Sequence, residues 1–319
     1  MPANSTPLGA LPARFRRERI LIVGCGDIGM RLAQRVGPGA TVLALTSTPG
    51  RRPEFRSRGI TPLVGDLDHP ETLSRLAGLA TRVVHLAPPP GEGPHWMGDP
   101  RTAALLSALG RRGRPTALVY ASTSGVYGDL GGAVAAETRA PAPATARAQR
   151  RAHAEARVRH AGRATGLRAT ILRVPGIYAQ DRPNGTPRER LLRGTPVLRP
   201  EDDVFTNHIH ADDLTTALHA ALWRGRPQRI YNVCDDTHLK MGDYFDLAAD
   251  LLGLPRPPRV ARSAAQAQLP LSLLSFMGES RLLTNARMKQ ELRVRLRHPS
   301  VHSGLKPATA PGLPDAAGR

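Results

Sequence analysis

The sequence contains few of the residues that build disulfide frameworks or metal centres. Only two of its 319 residues are cysteines, Cys25 and Cys234, and they lie far apart without the spacing of a metal-binding motif. This excludes a disulfide-rich secreted domain and argues against a zinc site. We therefore expect a cytoplasmic protein that depends on its core for stability and holds no metal.

Long hydrophobic runs are also missing. The best candidate, residues 269–277, is interrupted by Pro270 and two serines, and it is much shorter than the roughly 18 to 20 residues that a membrane-spanning helix needs. Residues 1–18 are rich in Pro, Ala and Arg and lack the apolar centre of a secretory signal. We expect no membrane association, a disordered leader over 1–18 and a disordered tail over 306–319.

Lysine and aromatic side chains are scarce in a strongly basic chain. Three lysines accompany 42 arginines, aromatic residues make up 4% of the sequence, and the formal net charge is +19. Such a charge suggests nucleic-acid binding, but the arginines are spread along the whole chain with almost no aromatic residues between them for base stacking. Abundant Arg, Gly, Pro and Ala is typical of GC-rich coding. We expect weak, salt-sensitive binding to nucleic acid and no specific binding.

The residues from 19 to about 174 alternate regularly between apolar β-branched runs and helical stretches. This alternation is typical of βαβ units, which assemble into a doubly wound parallel sheet, the α/β Rossmann fold. We predict strands at 20–23, 41–46, 60–64, 82–86, 116–121 and 167–174. We predict helices at 28–36, 70–79, 99–110 and 144–164, the second of them opened by Asp68.

Beyond residue 175 the alternation loosens into short helices and turns. One clear late strand is predicted at 230–233, and helices are predicted at 241–252 and 282–292. We therefore predict a Rossmann domain over 19–180, which the late strand joins, and a smaller C-terminal lobe over 181–305 that faces the substrate.

A glycine motif directly follows the first predicted strand and opens the first predicted helix. In such a turn Gly24 permits the tight bend, Gly26 lets backbone amides approach a pyrophosphate, and Gly29 lets the helix pack on the strand. The N-terminus of the helix then faces the phosphates. We expect Cys25 to be a packed thiol beside the cofactor. The predicted dinucleotide-binding turn comprises Gly24, Cys25, Gly26, Asp27, Ile28 and Gly29.

The end of the second predicted strand indicates which dinucleotide binds. A site specific for NAD(H) usually carries Asp or Glu here for the ribose hydroxyls, whereas this chain has Thr46 and two more hydroxyl residues, followed by Arg51 and Arg52. Hydroxyl and guanidinium groups attract a 2′-phosphate that a carboxylate would repel. We predict a preference for NADP(H), with NAD(H) as the other candidate. The alternative is that both arginines only decorate an exposed loop.

Further motifs follow the later predicted strands and continue into the C-terminal half. They are Gly65-Asp-Leu67, His85-Leu-Ala87, Tyr120-Ala-Ser-Thr-Ser-Gly-Val-Tyr-Gly-Asp129, Leu172-Arg-Val-Pro-Gly-Ile-Tyr178, Asn207-His-Ile-His-Ala-Asp-Asp-Leu214 and Tyr231-Asn-Val233. With these motifs the chain resembles the extended and atypical short-chain dehydrogenase/reductase (SDR) superfamily, of the NAD(P)-dependent epimerase/dehydratase type. The resemblance covers residues 19–305 and implies an NAD(P)-binding Rossmann domain with a substrate lobe.

The resemblance also implies roles for residues around the two ends of the cofactor. Asp66 would bind the adenine amino group, and the backbone after Val174 would contact the nicotinamide amide. From the residues alone, Asp66 could instead cap a helix and His85 could be a buried core histidine. The residues that would line the adenosine beside Asp66 are Leu67, His85, Leu86 and Ala87.

The catalytic residues of the superfamily are only partly present. A Ser or Thr hydroxyl usually polarises the substrate oxygen, and a Tyr moves the proton with the help of a Lys four residues later. The resemblance places the hydroxyl at Thr123, with Ser122 and Ser124 beside it. Arg147 takes the tyrosine position and Arg151 the lysine position. Arginine keeps its proton and cannot act as the acid or base, although Arg151 could hold the nicotinamide ribose.

Two functions remain open on this sequence. The first is an NADP(H)-dependent oxidoreductase or epimerase/dehydratase for a small polar or anionic substrate, with Tyr127, Tyr178 or Asp99 in place of the missing proton donor. The second is a catalytically inactive protein that binds NADP(H) and reports its state to a partner. Related proteins form dimers through paired long helices, but the arginines of the helix at 144–164 disfavour that packing here, so the sequence leaves the oligomeric state open.

Overall fold

The computed structural model describes residues 17–91 and 98–306 of the chain. Of the predicted leader, only the last two residues fall inside these ranges, and Glu18 already belongs to the first strand. Of the predicted tail, only Lys306 does, directly after the last helix. The rest of both predictions lies outside the described residues.

The strands of the described residues fall into one large sheet and several short pairs. In chain order they are β1 (Glu18–Val23), β2 (Ala40–Thr46), β3 (Thr61–Val64), β4 (Arg82–His85), β5 (Ala117–Thr123), β6 (Val134–Ala135), β7 (Arg168–Val174), β8 (Gly176–Tyr178), β9 (Val197–Leu198), β10 (Phe205–Thr206), β11 (His208–His210), β12 (Arg229–Asn232), β13 (Leu239–Lys240), β14 (Arg259–Val260) and β15 (Leu282–Leu283). Each of the predicted strands corresponds to one of these within a few residues.

The large sheet has seven strands within the described residues, in the order β12-β7-β5-β4-β1-β2-β3, and all of them are parallel. This is the predicted doubly wound sheet, with the late strand at its edge beside β7. Successive strands run outwards from β1 to β3 on one side and from β4 on the other. The order therefore reverses between β1 and β4, and ligands of such sheets bind outside the carboxyl ends of the strands at this point.

Helices cover both faces of the large sheet and build the C-terminal lobe. They are α1 (Asp27–Val36), α2 (Arg52–Ser57), α3 (Pro100–Gly110), α4 (Ala146–Thr165), α5 (Arg188–Leu192), α6 (Ala211–Arg224), α7 (Met241–Leu252), α8 (Arg262–Gln268), α9 (Leu271–Met277), α10 (Ala286–Glu291) and α11 (Val301–Leu305). Among the described residues, none of these helices is both long enough and apolar enough to cross a membrane.

The apolar residues of β1 are consecutive rather than alternating because both faces of this strand are buried. Ile20 and Ile22 lie in the core between the sheet and α1 with α6, whereas Leu21 and Val23 lie in the core between the sheet and α3 with α4. All four side chains are fully buried. A strand with helices on both faces buries every residue, so an unbroken apolar run is the expected sequence.

The C-terminal lobe has an apolar core of its own, formed mainly by α5, α7, α8, α11 and β9. Short strand pairs complete it and connect it to the sheet: β8 with β11, β9 with β14 and β6 with β15 in parallel, and β10 with β13 antiparallel. α6, although it follows residue 180, packs against α1 on the large sheet. The chain therefore returns to the sheet between segments of the lobe.

The helix predicted over 282–292 differs from the structure at its start. The first two residues of this range form β15, which pairs with β6. The side-chain N–H of Asn285 then donates to the backbone oxygens of Cys234 and Asp235 at 2.9 and 3.2 Å, and α10 begins only after it. These partners lie far away in the sequence, so local periodicity does not reveal the break.

Two more differences lie between β2 and β4. The sequence pattern does not predict α2, which follows β2 after a single 3-10 turn. The range 70–79 forms a 3-10 helix, Pro70–Leu76, instead of an α-helix, and it begins after His69 rather than at Asp68. The Thr72 hydroxyl donates to the backbone oxygen of His69 at 2.7 Å, and this local bond competes with regular α-helical hydrogen bonding.

α4 is rich in arginine, and a buried ion pair attaches it to β7. Arg173 donates from Nε and Nη2 to the two carboxylate oxygens of Glu155, at 3.1 and 2.7 Å. Only 1% of the Arg173 side chain and 4% of the Glu155 side chain are exposed. The Arg173 guanidinium also lies over the ring of Tyr127, 4.5 Å from its centroid. The positive charge of Arg173 and the negative charge of Glu155 therefore compensate each other.

We expect Glu155→Ala to lower the free energy of unfolding by about 3 to 5 kcal/mol, because it leaves a buried guanidinium without its counter-ion. Chemical denaturation measures the loss. The double variant Glu155→Met with Arg173→Met should recover much of it, since no buried charge remains. As a control, Asp250→Asn removes an ion pair with Arg256 in which both side chains are more than half exposed, and it should change nothing measurable. Wild-type stability of Glu155→Ala would contradict this account.

Candidate active site

Two cavities open at the carboxyl edge of the sheet, where β1 and β4 end. The larger, of about 1090 Å³, extends from the turn after β1 to the C-terminal lobe. The smaller, of about 370 Å³, extends from the same turn over the ends of β2 and β3. Gly24, Gly26 and Leu86 line both, so the two cavities form one continuous cleft, which we call the edge cleft.

The turn after β1 contains two glycines with little or no space for a side chain. Gly24 has φ +84°, and a Cβ there would lie 2.4 Å from the backbone nitrogen of Ala87. At Gly29 a Cβ would lie 3.1 Å from the Ile22 side chain and 3.2 Å from the Cys25 sulfur. These contacts bring β1, the end of β4 and α1 close together, as the sequence predicts for the first and third glycines of the motif.

Gly26 differs from its two neighbours because a Cβ there would meet no atom within 4 Å. It lies at the N-cap of α1, where no side chain caps the helix, so the first backbone N–H groups remain available at the cleft. Asp27 follows, and its charge is offset by Arg31 at 3.1 Å and by Arg182 at 3.0 Å. An uncapped helix N-terminus beside open space fits a pyrophosphate.

Cys25 and Ile28 complete the turn as packing residues. Cys25 is buried, its sulfur lies 3.6 Å from the sulfur of Met30, and burial raises the pKa of its thiol to about 11. A thiol with this pKa is not ionised near neutral pH. Ile28 lines the larger cavity and packs against the core beneath α1 and α6.

The two arginines that follow β2 differ in their position relative to the smaller cavity. Arg51 lines it together with Thr46, and its Nη1 donates to the backbone oxygen of Cys25 at 3.0 Å while its Nε pairs with Glu54 at 2.9 Å. Arg52 is exposed, starts α2 and does not line the cavity. Of these two arginines, Arg51 is the one placed to meet a group bound at the end of β2.

The opposite wall of the smaller cavity contains Asp66, Leu67 and Ala87. Asp66 accepts a hydrogen bond from the backbone N–H of Asp68 at 3.0 Å, which keeps its carboxylate in place after β3. Arg101 of α3 also lines the cavity and forms an ion pair with Asp68. The sequence motifs give no signal for Arg101, because α3 reaches the cavity only through the packing of the sheet.

His85 lies behind the cleft rather than in it. Its Nε2 is 2.9 Å from the Thr102 hydroxyl, which itself donates to Asp99, so the Nε2 carries the proton. Asp99 caps α3 by accepting from the backbone N–H of Thr102 at 3.2 Å. Complete burial lowers the pKa of His85 to about 3. Neither His85 nor Asp99 lines the cleft in the part of the chain that the structure describes, and both serve the packing of α3 on β4.

Three hydroxyl side chains line the larger cavity at the end of β5. Thr123 accepts from the backbone N–H of Gly125 at 3.2 Å and caps the 3-10 turn that follows. Ser124 is buried beside it. The Ser122 hydroxyl is also buried, and its oxygen has no hydrogen-bond partner among the described residues. Hydroxyl groups in this position can donate to a substrate oxygen.

The first turns of α4 bring Arg147 and Arg151 to the same cavity. Arg151 donates from Nη1 to the Tyr120 hydroxyl at 3.2 Å and to the backbone oxygen of Ala121 at 2.7 Å. Arg147 lies over the ring of Phe276, 5.1 Å from its centroid, and forms no ion pair with any described residue. Two like charges four residues apart repel each other, and the positive end of the helix dipole adds to the repulsion.

The tyrosines near the cavity are engaged elsewhere. Tyr127 is fully buried outside the cleft lining, and its hydroxyl donates to Asn232 at 2.7 Å. Tyr178 lines the larger cavity, but its hydroxyl donates to the backbone oxygen of Ser300 at 3.1 Å, and burial raises its pKa. Burial also raises the pKa of Tyr120 to about 12, which keeps the hydroxyl beside Arg151 protonated.

The C-terminal lobe contributes cleft residues that no sequence motif indicates. Arg182, Arg190 and Arg281 line the larger cavity, as does Glu279, which pairs with Arg281 at 2.7 Å. Asp27 is the other carboxylate of the lining, and it is paired as well. Arg147, Arg151 and Arg190 therefore face the cavity without a carboxylate partner among the described residues, which makes this end of the cleft strongly positive.

One cluster outside the cleft has side chains of the kind that bind metals. His210, Asp212 and His298 hold potential ligand atoms within 4.8 Å of one another. His210 Nδ1 accepts the backbone N–H of Asp212 at 3.2 Å, so its proton is on Nε2, and Arg31 already pairs with Asp212 at 2.7 Å. His210 Nδ1 and Asp212 thus have partners within the protein; the absence of a metal stays a prediction.

The sheet order and the glycine turn define a Rossmann fold with the turn of a dinucleotide-binding protein. The chain matches the model of the NAD dependent epimerase/dehydratase family over residues 20–234, and it belongs to that family. No curated protein matches the chain.

Several solved structures are similar. A conserved protein of unknown function from Silicibacter pomeroyi is 29% identical, with a TM-score of 0.73 and coverage of 90% of this chain and 96% of that one. UDP-glucose 4-epimerase from Thermotoga maritima with UDP-glucose is 20% identical, with a TM-score of 0.72 and coverage of 90% and 96%. dTDP-glucose 4,6-dehydratase from Bacillus anthracis in complex with NAD is 18% identical, with a TM-score of 0.72 and coverage of 91% and 94%.

The burial of His85 predicts a pH dependence of stability. The unfolded chain takes up a proton near pH 6.5, whereas the folded protein does so only near pH 3, so stability falls as the pH falls below 6.5. His85→Gln, whose amide can replace the bond to Thr102, removes this contribution. Between pH 6.5 and pH 5 the wild type should lose about 1 to 2 kcal/mol more stability than the variant.

Urea denaturation at several pH values measures this difference, with His69→Gln at an exposed site as the control. Parallel pH profiles of the wild type and His85→Gln would contradict this prediction, because they would mean that the pKa of His85 is the same in the folded and unfolded states.

Proposed function

We propose that this protein is an NADP(H)-dependent enzyme of SDR type, an oxidoreductase or an epimerase/dehydratase, that acts on a small anionic substrate. One observation carries the proposal: a single cleft joins the glycine turn after β1 to a group of arginines that have no carboxylate partner in the described parts of the chain. The first end suits the phosphates of a dinucleotide, and the second suits a carboxylate or phosphate group of a substrate.

The residues present fit the cofactor. The turn from Gly24 to Gly29 would hold the pyrophosphate, Asp66 and Leu67 would meet the adenosine, and the backbone after Val174 would meet the nicotinamide. When bound, the nicotinamide would supply or accept the hydride. The smaller cavity has the volume and the lining for the adenosine end, with Thr46 and Arg51 at its rim.

At the other end of the cleft the side chains would bind and orient the substrate. Thr123, with Ser122 and Ser124 beside it, would donate a hydrogen bond to the substrate oxygen at which charge changes. Arg147 and Arg151 keep their protons, so they would stabilise negative charge on the substrate rather than transfer a proton. The proton that accompanies the hydride would come from a hydroxyl or from water in the cleft.

The preference for NADP(H) rests on Arg51. Arg51→Met should weaken the binding of NADPH about tenfold, which equals about 1.4 kcal/mol, and should leave the affinity for NADH almost unchanged. The reason is that only NADPH carries the 2′-phosphate that the guanidinium would meet. Calorimetric titration at constant ionic strength measures both affinities.

The matched control is Arg52→Met, which removes the same charge one residue later from an exposed side chain outside the cavity. Its affinities should equal those of the wild type. Equal losses in the two variants, or equal losses for the two nucleotides, would mean that Arg51 does not recognise the 2′-phosphate.

Gly26→Asp tests the proposal as a whole. A Cβ at this position meets no atom within 4 Å, so the variant should fold normally. Its carboxylate would occupy the position of the pyrophosphate and repel the negative charge of that group. NADPH should raise the melting temperatures of the wild type and of the control Gly39→Asp, which replaces another glycine with open space around it. It should leave the melting temperature of Gly26→Asp unchanged. Undiminished NADPH binding by Gly26→Asp would overturn the site.

A second candidate function is a catalytically inactive NADP(H)-binding protein that reports to a partner. The presence of Arg147 and Arg151 in place of the Tyr and Lys favours it, since both lack proton-transfer ability. The two candidates differ in turnover. Oxidation of NADPH with a panel of anionic carbonyl compounds, or epimerisation of nucleotide sugars, supports the enzyme; binding of NADPH without turnover of any of these supports the sensor.

Other expectations from the composition complete the proposal. We infer a cytoplasmic location, no specific binding to nucleic acid and a small molecule as the principal ligand. Measuring nucleic-acid binding at increasing salt concentration tests the second inference. Loss of all binding near 150 mM salt fits a generic polycation, whereas a sequence preference that persists at this salt concentration would contradict the inference.

A further inference from the structure

His208 of β11 is buried, and neither nitrogen of its ring has a hydrogen-bond partner among the described residues. Only 8% of the residue is exposed, and it lines the larger cavity of the edge cleft. His85, the fully buried histidine behind the cleft, differs because its hydrogen bond with Thr102 fixes the proton on Nε2. No described group of the protein fixes the proton of His208 in this way.

The packing of the ring leaves Nε2 of His208 as the nitrogen that can meet a ligand. Tyr244 of α7 stacks on the ring, with centroids 4.1 Å apart, and Tyr178 of β8 lies edge-on at 6.3 Å. Cδ2 lies beside Gly176 of β8, 3.6 Å from the position that a Cβ would take there. Nδ1 is enclosed, whereas Nε2 is not. The accessible edge of the imidazole therefore presents Nε2 to the cavity.

Strand pairing places His208 at the proposed nicotinamide end of the cleft. His208 pairs with Gly176 in the register of β11 and β8. Two residues before Gly176, Val174 pairs with Thr123 in the register of β7 and β5. All four residues line the larger cavity. The His208 ring and the Thr123 hydroxyl therefore lie beside the same short backbone segment, which on the proposed function meets the nicotinamide.

The other ionisable side chains that line this cavity are poorly suited to exchange a proton near neutral pH. Arginine keeps its proton, and the carboxylates of Asp27 and Glu279 are paired with arginines. Tyr178 and Tyr244 also keep their protons, because burial raises their pKa values. His208 is the one histidine among the described lining residues. Imidazole is the side chain that ordinarily changes its charge between pH 5 and pH 8.

The immediate surroundings keep His208 neutral in the free protein. Burial lowers its pKa to about 4. The backbone N–H of Asp235 donates to the backbone oxygen of His208 at 2.8 Å, and burial raises the pKa of the Asp235 carboxyl to about 7. This carboxyl is therefore not fully ionised near pH 7, and the tyrosines on either side of the ring are neutral.

The charged groups on the neighbouring elements have partners of their own or lie at the surface. On β11 itself, Nδ1 of His210 accepts the backbone N–H of Asp212. Asp212 pairs with an arginine of α1 at 2.7 Å, and Asp213 accepts two backbone N–H groups at 2.7 and 2.8 Å. His302 of α11 is exposed. A negative charge bound in the cavity is therefore the change that would raise the pKa of His208.

We propose that His208 is the proton-exchanging residue of this cleft. It takes up a proton at Nε2 when an anionic substrate binds, and it passes this proton through a hydroxyl or a water molecule to the substrate oxygen. The inference rests on the proposed function, because it assumes that the cleft binds an anionic substrate beside the nicotinamide. It adds the source of the proton that neither Arg147 nor Arg151 can release.

The proton transfer balances the hydride transfer of the proposed function. When a carbonyl group is reduced, the hydride supplied by NADPH attaches to the carbon, and the electron pair of the C=O π bond moves to the oxygen. The oxygen then takes the proton that His208 releases, and His208 returns to its neutral form. In the oxidation of an alcohol the neutral imidazole accepts the proton instead.

An NMR titration of the histidine signals of the full-length protein tests the uptake of the proton without any need for turnover. The probe is sulfate, which stays a dianion between about pH 4 and pH 8, and sodium chloride of equal ionic strength controls for screening. The His208 signal is the one missing from the spectrum of His208→Gln. We expect its pKa to rise from about 4 in chloride to above about 5 in saturating sulfate, a tenfold or greater gain in proton affinity. Asp235→Asn should keep this response.

Turnover tests the transfer of the proton to the substrate. With any anionic carbonyl compound that the wild type reduces, His208→Gln should lower kcat about 100-fold or more and leave KM and the affinity for NADPH nearly unchanged. Free imidazole should restore activity to His208→Ala, because the space left beside Tyr244 can admit it. A purely structural role of His208 would not respond to imidazole in this way. His302→Gln, at an exposed position in α11, is the matched control and should behave as the wild type.

Either of two results would overturn the inference: a pKa of His208 that is equal in sulfate and chloride although sulfate binds, or a wild-type kcat in His208→Gln. If His208→Gln does not fold, His208→Phe decides, since it keeps the stacking on Tyr244 without the ring nitrogens; wild-type turnover by this variant would overturn the inference. If no compound is turned over, the NMR titration alone decides. Failure of the wild type to bind NADPH or sulfate would count against the proposed function, whereas binding of both with an unresponsive His208 would count against this inference alone.

Discussion

The common direction of the strands determines where the cleft opens. In the parallel sheet the carboxyl ends of β1, β2, β3, β4, β5 and β7 meet at one edge, and each is followed by residues of the cleft. The reversal of strand order between β1 and β4 leaves a gap at that edge, into which α1 directs its N-terminus. The close approach of Gly24 to the end of β4 keeps the turn at this gap, since a side chain there would collide with Ala87.

Charge distinguishes this cleft from the catalytic pattern that the SDR resemblance implies. Where that pattern has a tyrosine and a lysine, α4 presents two arginines, and Arg190 approaches from the lobe. Arginine binds planar anions and does not release its proton, so on the proposed function this pair would bind an anion rather than transfer a proton. The buried pair between Glu155 and Arg173 supports this arrangement, because it fixes the helix that carries both arginines to β7.

The sheet and the cofactor end of the cleft follow from local sequence, whereas the substrate end does not. Consecutive apolar residues such as Ile20 to Val23 reveal a strand that is buried on both faces, and a glycine motif directly after it reveals the turn. Arg190, Arg281 and Glu279 reach the cleft only through the packing of the lobe, and no spacing in the sequence relates them to Thr123. His85 stands in a motif, but its hydrogen bond with Thr102 holds it in the core behind the cleft, which is the second of the two roles that the sequence leaves open.

The central claim is that this cleft binds a nicotinamide dinucleotide next to an anionic substrate. The most direct measurement is a calorimetric titration of the wild-type protein with NADPH at about 150 mM salt, where nonspecific attraction between a basic protein and phosphates is largely screened. The account predicts saturable binding with one NADPH per chain. Heat that does not saturate, or that disappears at this salt concentration, would contradict it.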